Sequence, residues 1–180
     1  MLYDRLSPYA TPSVFVSLII LIVGLSAGFQ LRQIVFGDQV TTLDVRVLEV
    51  YTPADVKALF DELGDDHRTI YAWTQVTLDL AYPLAYGVFL ALLIVVVYRE
   101  PWARRLVMIP CLGAGADWLE NATSAMLAWS YTGEVSALAW GASIFSFAKW
   151  VLGLASVAII GVGVVLWAVY KVNKMRGSRG

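Results

Sequence analysis

Residues 69–98 read TIYAWTQVTLDLAYPLAYGVFLALLIVVVY, thirty residues in which Asp79 is the one charged side chain. A helix that crosses the hydrocarbon core of a bilayer needs about 20 apolar residues. Working outward, three more stretches meet that condition. Ser13–Gln30 is uncharged and continues past Arg32 to Phe36; Leu106–Gly133 carries only Asp117 and Glu120; Val135–Tyr170 carries only Lys149. Pro83 and Pro110 fall inside spans, where neighbouring helices tolerate a kink. The reading is an all-α integral membrane protein: one domain, 1–180, built as a four-transmembrane-helix bundle with spans at 13–36, 69–98, 106–131 and 135–170. The first apolar run follows Arg5 but outlasts the apolar core of a signal peptide, so it reads as a retained first helix.

Composition agrees. The chain is 59% hydrophobic before glycine is counted and 15% charged, with a mean hydropathy of +0.68. Ordinary soluble domains are about 45–50% apolar with glycine included and about 25% charged. A disordered chain, a nucleic-acid binder and a soluble enzyme are excluded on these grounds. The single Cys111 forms no internal disulfide, and the single His67 lies in a polar stretch. Haem, zinc and di-iron sites built on several histidines or cysteines are therefore out of reach, and neither metal nor cofactor is expected.

The 37–68 connection is acidic: with Thr69 and Ile70 it holds eight acids against three basic residues, a net −5. By contrast, 99–105 holds Arg99, Arg104 and Arg105, and the segment after Tyr170 holds Lys171, Lys174, Arg176 and Arg179 without an acid. The bias of lysine and arginine toward the cytoplasm puts both termini inside and the acidic loop outside. The expected location is the bacterial inner membrane, with membrane lipids as surroundings. Within the outer loop, Thr52-Pro53-Ala54-Asp55 is a helix start, and Val56, Leu59, Phe60 and Leu63 follow at helical spacing until Gly64. A short amphipathic helix should lie on the outer mouth of the bundle.

Ionisable groups inside spans are costly and usually face a partner or a cavity. Asp79 stands 20 residues from Arg99 and Lys149 22 from Lys171, hence roughly 30 and 33 Å from the inner surface. Asp117 and Glu120 stand 12 and 15 residues from Arg105, roughly 18 and 22 Å up. Helical spacing gathers Gln75, Asp79, Tyr82, Pro83 and Tyr86 on one face, Gly113, Asp117, Glu120, Asn121 and Ser124 on a second, and Ser146, Lys149, Gly153 and Ser156 on a third. Three polar stripes most economically face one another. The expectation is an outward-facing polar vestibule of Asp79, Tyr82, Tyr86, Asp117, Glu120, Asn121 and Lys149 that binds, and conceivably modifies, a lipid-like or small hydrophobic ligand. Three acids against one deep lysine leave a carboxylate without a cation, so Glu120 or Asp117 is the candidate general acid or base. The bland reading is that Lys149 pairs with Asp79 or Glu120 and only sets helix register. An alternative of another class is an accessory subunit of a larger membrane complex, suggested by the Gly24-x-x-x-Gly28 face and the aromatic span ends.

The segment Leu43-Asp44-Val45-Arg46, the Tyr51-Thr52-Pro53 cap, the D-x-x-Y-P run Asp79–Pro83 with Tyr86, and the D-x-x-E-N run Asp117–Asn121 resemble a group of bacterial four-span membrane proteins of unassigned function. The resemblance spans roughly residues 40–150. It implies the four-span fold and highlights these positions. A more distant likeness is to the EXPERA group of sterol isomerases and sigma-2-receptor-like proteins, which implies four spans, a long first outer loop and acids facing an intramembrane pocket. The matching positions are Asp79 with Pro83, and Glu120.

Overall fold

The computed structural model describes residues 2–37, 40, 42–43, 46–98 and 101–177. Asp38, Asp44, Val45, Arg99 and Arg179, which entered the reading above, lie outside the described residues. Regular structure among the described residues is helical: α1 Leu2–Leu6, α2 Pro12–Phe36, α3 Pro53–Val76, α4 Leu78–Val97, α5 Met108–Trp129 and α6 Leu138–Gly177. Three apolar stretches are long enough to cross a membrane: Pro12–Phe36, the joined run Pro53–Val97, and Leu138–Lys171.

The fourth expected span corresponds to α5, 22 residues long and so roughly 33 Å. It falls short in hydropathy because it carries Asp117, Glu120, Asn121, Thr123 and Ser124, all of them buried against the other helices. α5 packs on α3, α4 and α6 and is the central helix of the bundle. α4 and α6 each run antiparallel to α5. Gly113 of α5 meets Leu152 of α6, where an added Cβ would lie 3.3 Å from Leu152 Cβ, and Gly87 of α4 meets Ala114 of α5 at 2.9 Å. α2 packs on α4 through Phe15 on Phe89 (5.8 Å between rings) and Phe29 on Tyr82 (5.3 Å).

The expected second span, 69–98, is not one helix. The amphipathic helix that starts at Pro53 stops at Gly64 as expected (φ 65°, ψ −179°, outside the helical region), a second helical segment follows directly to Val76, and the chain breaks again at Thr77 (φ −119°, ψ −78°) before restarting at Leu78. Gly64 can take the left-handed φ that redirects the axis. Asp65 and Asp66 then open the next segment, where acids suit the positive end of the helix dipole. At the second break, the Thr77 hydroxyl donates to the Trp73 carbonyl (2.7 Å) and the Leu80 amide bonds the Thr77 carbonyl (3.2 Å), a tight turn in place of helix.

The outer end is closed by the amphipathic segment. Thr52 and Asp55 form a capping box, with the Thr52 amide 2.7 Å from Asp55 Oδ2. Val56, Leu59, Phe60 and Leu63 pack with Phe36, Leu43 and Tyr51 onto Tyr71, Leu127 and Ala139 of the bundle. At the inner end the Tyr3 hydroxyl lies 3.2 Å from the Val95 carbonyl and 2.7 Å from that of Tyr98. These are carbonyls that the end of α4 leaves without intrahelical donors. The Tyr98 hydroxyl in turn donates to the Ile159 carbonyl of α6 (2.8 Å).

Candidate functional site

Inserting a carboxylate into the middle of an apolar helix is expensive. The break at Thr77 changes that situation for Asp79, which now stands in the first turn of α4, where unbonded N–H groups and the dipole favour an anion. Its cation is Arg32 of α2, with Nη1 3.7 Å from Asp79 Oδ2. The guanidinium also donates to Thr74 Oγ1 (3.3 Å) and Thr42 Oγ1 (3.5 Å) and lies over the rings of Phe29, Tyr71 and Phe36 at 5.2–5.9 Å. An aromatic cage of this kind lets a guanidinium sit 6% exposed.

Pro83, four residues after Asp79, has no N–H. The Asp79 carbonyl therefore lacks its helical donor, and Asn121 supplies one from α5: Nδ2 donates to Asp79 O at 2.8 Å. The Trp118 indole N–H donates to the next carbonyl, that of Leu80, at 2.9 Å. Aspartate and proline in one motif, and tryptophan and asparagine in the other, thus belong to a single α4–α5 joint.

One turn inward lies the second ion pair. Asp117 and Glu120, three residues apart on α5, converge on Lys149 of α6, with Nζ 3.0 Å from Asp117 Oδ1 and 2.6 Å from Glu120 Oε2. Tyr86 of α4 donates to Asp117 Oδ2 at 3.0 Å. Asp117 thereby joins α4 and α6 through its two oxygens. Tyr82 packs its ring edge-on to both Phe29 and Tyr86.

The site residues named from sequence fall on adjacent turns of the bundle. Asp117, Glu120, Lys149 and Tyr86 form one connected group, and Asp79 and Asn121 a second, one turn nearer the outer end. The arrangement is closed: the side chains of Asp117, Glu120 and Lys149 are 7%, 2% and 10% exposed. Among the described residues, three carboxylates are set against two cations. Sequence reasoning left Arg32 at the margin and passed over Thr42, Thr74 and the tie from Asn121 to the Asp79 backbone. The missing signal was in view, because Pro83 leaves the carbonyl four residues before it, that of Asp79, bare. Gly24, read as a packing face, has no atom within 4 Å of a built Cβ, whereas Gly28 is covered by Leu78.

No protein-family model, curated protein or solved structure matches the chain.

Proposed function

We propose that the protein is a four-span bundle of the bacterial inner membrane, with both termini cytoplasmic, that binds a lipid-like or small hydrophobic ligand at the polar site beneath the outer cap. The observation that carries this reading is the burial of five ionisable side chains with unequal charge, Arg32 and Lys149 against Asp79, Asp117 and Glu120, on adjacent turns of an otherwise apolar bundle. Helix register needs one pair. A replacement of buried ion pairs by apolar side chains is often neutral or stabilising, so a set with a surplus carboxylate is better explained by something it acts on. α5, shielded on several sides, crosses as the core of the bundle, and α2 and α6 face lipid with Ile20, Ile34, Val165 and Leu166 exposed.

Native mass spectrometry of protein extracted gently from its own membrane tests the reading. The expected result is a reproducible small-molecule adduct that Glu120→Gln abolishes while the unfolding temperature holds. Absence of any adduct, or one indifferent to Glu120→Gln, overturns it.

A second reading, an accessory subunit of a larger membrane complex, is favoured by the uncovered Gly24 on α2. Small residues let another helix approach closely. On that reading Gly24→Leu removes a larger assembly from the spectrum and Glu120→Gln does not.

A further inference from the structure

Buried polar atoms are almost always hydrogen-bonded, so those left open describe what is meant to meet them. Four open atoms lie in this bundle on the cap side of the Lys149 ion pair. They are Gln75 Oε1 of α3, Asn121 Oδ1 of α5, and the hydroxyls of Ser143 and Ser146 of α6, none with a hydrogen-bond partner among the described residues. Their residues are 1%, 2%, 0% and 0% exposed. α3 runs inward through Gln75 just before Asp79, α5 runs outward through Asn121 just after Glu120, and α6 runs inward through the two serines just before Lys149. All four positions therefore fall between the Lys149 ion pair and the cap.

Beside Lys149 the open atom is a donor, the indole N–H of Trp150, whereas on the cap side the open atoms are two amide oxygens and two hydroxyls. The Asp79 carbonyl accepts only, so the atom of Asn121 that touches it must be the NH₂, which fixes Oδ1 as the atom left over. Gln75 Oε1 is open as well, on an amide that no hydrogen bond holds one way round, and a serine hydroxyl either donates or accepts. One obligate acceptor, Asn121 Oδ1, thus awaits a donor from outside the chain, and Gln75 can turn its oxygen to a second. Both cations already face carboxylates, and the surrounding charge is negative on balance. Resting on the ligand-binding reading above, we infer that the head of the ligand donates hydrogen bonds and carries no negative charge: a hydroxyl- or amide-type head on an apolar body, with Gln75 and Asn121 as its acceptors. Fatty-acid carboxylates and phosphate heads bring acceptors to acceptors and charge to like charge, and are rejected.

The test uses three probes that share an oleoyl chain: 1-monooleoylglycerol with two free hydroxyls, methyl oleate with no donor, and oleate with a negative head. Each is offered at equal concentration to the full chain in detergent micelles, and adducts are read by native mass spectrometry beside the unfolding temperature. The expected result is a monooleoylglycerol adduct at least about tenfold more abundant than the other two. That preference collapses in Gln75→Met, whose apolar side chain of similar length keeps the fold. If methyl oleate or oleate is retained as well as monooleoylglycerol, or Gln75→Met leaves the preference intact, while adducts still depend on Glu120, the donor inference is overturned and the binding site stands. If no probe is retained, or every adduct survives Glu120→Gln, the ligand-binding reading fails and this inference goes with it.

Discussion

Lys149 holds two carboxylates, and its removal is the sharpest perturbation a single side chain offers here. Lys149→Met leaves Asp117 and Glu120 facing each other in an apolar interior, a change of the kind that costs about 3–5 kcal/mol. Adding Glu120→Gln to that variant should recover much of the loss, because Asp117 still accepts from Tyr86. Unfolding in mixed micelles followed by tryptophan fluorescence reads both values. Equal stability of the single and double variants would contradict the shared pair. Asn121 offers a second test. Asn121→Ala strips the donor from the Asp79 carbonyl and should cost about 1–3 kcal/mol. Pro83→Ala restores a backbone N–H four residues on, so in that background Asn121→Ala should cost much less, and the coupling appears in a double-mutant cycle. Sequence reading gathered these residues on facing stripes because charged groups in apolar helices have few places to go. It could not pair them, since spacing fixes a face of a helix but not the depth at which two helices meet.

Element boundaries were harder to read than element faces. The run from Tyr71 to Tyr98 has neither glycine nor proline at Thr77, so its break is invisible to any apolar count, although Asp79 and Pro83 together mark the turn that benefits from it. Gly64 is legible as a stop signal, yet the polar residues beyond it are helical because Arg68 reaches back to the Ala128 carbonyl (3.2 Å) and lies over the Tyr131 ring (4.9 Å). The same tyrosine donates to Asp61, which also pairs with Lys57 at 2.8 Å. That clamp sets a pH window for the cap. The hydrogen bonds from Lys57 and then Tyr131 lower the Asp61 pKa from 3.8. The bonds to Asp61 and then Tyr131 raise Lys57 from 10.5 to about 12. The Asp61 contribution is complete above 3.8 and fades as pH falls through its depressed native value. The Lys57 contribution is complete below 10.5 and fades as pH rises toward about 12. Near-ultraviolet circular dichroism from the Phe60–Tyr131 ring pair (5.3 Å) should hold between those limits and decay beyond both. In Tyr131→Phe the Asp61 carboxyl, followed by its carbon-13 chemical shift, should titrate at a higher pH, since it loses one of the donors that depress it.

At the scale of the whole molecule, the apolar helices and the segregation of charge were both open to sequence reading, whereas the central role of α5 was not. Its buried polar stripe sets it apart from α2, α4 and α6, and only its contacts on several sides show why that stripe is tolerable. The proposed orientation rests on charge alone and can be tested independently of the site. In a Cys111→Ser background, Asp65→Cys sits at an exposed position (91% for the side chain) in the acidic cap, and Lys174→Cys sits on the exposed last turns of α6. A membrane-impermeant maleimide should label the first in intact cells and the second only after permeabilisation. The reverse pattern would turn the molecule over and open the polar site toward the cytoplasm. The inner end supplies the complementary constraint, because α6 crosses α4 at Gly163, where an added Cβ would fall 2.0 Å from Val97 Cγ1 and 2.8 Å from the Tyr98 ring. No side chain fits there without separating the helices, and separation also breaks the bond from Tyr98 to the Ile159 carbonyl. Gly163→Val should therefore destabilise by about 1–3 kcal/mol, the usual scale for overpacking. It should leave the near-ultraviolet circular dichroism of the Phe60–Tyr131 pair unchanged, because the cap at the far end rests on α3, α5 and the start of α6 rather than on this crossing. Loss of that signal in Gly163→Val would mean that the two ends of the bundle unfold as one unit.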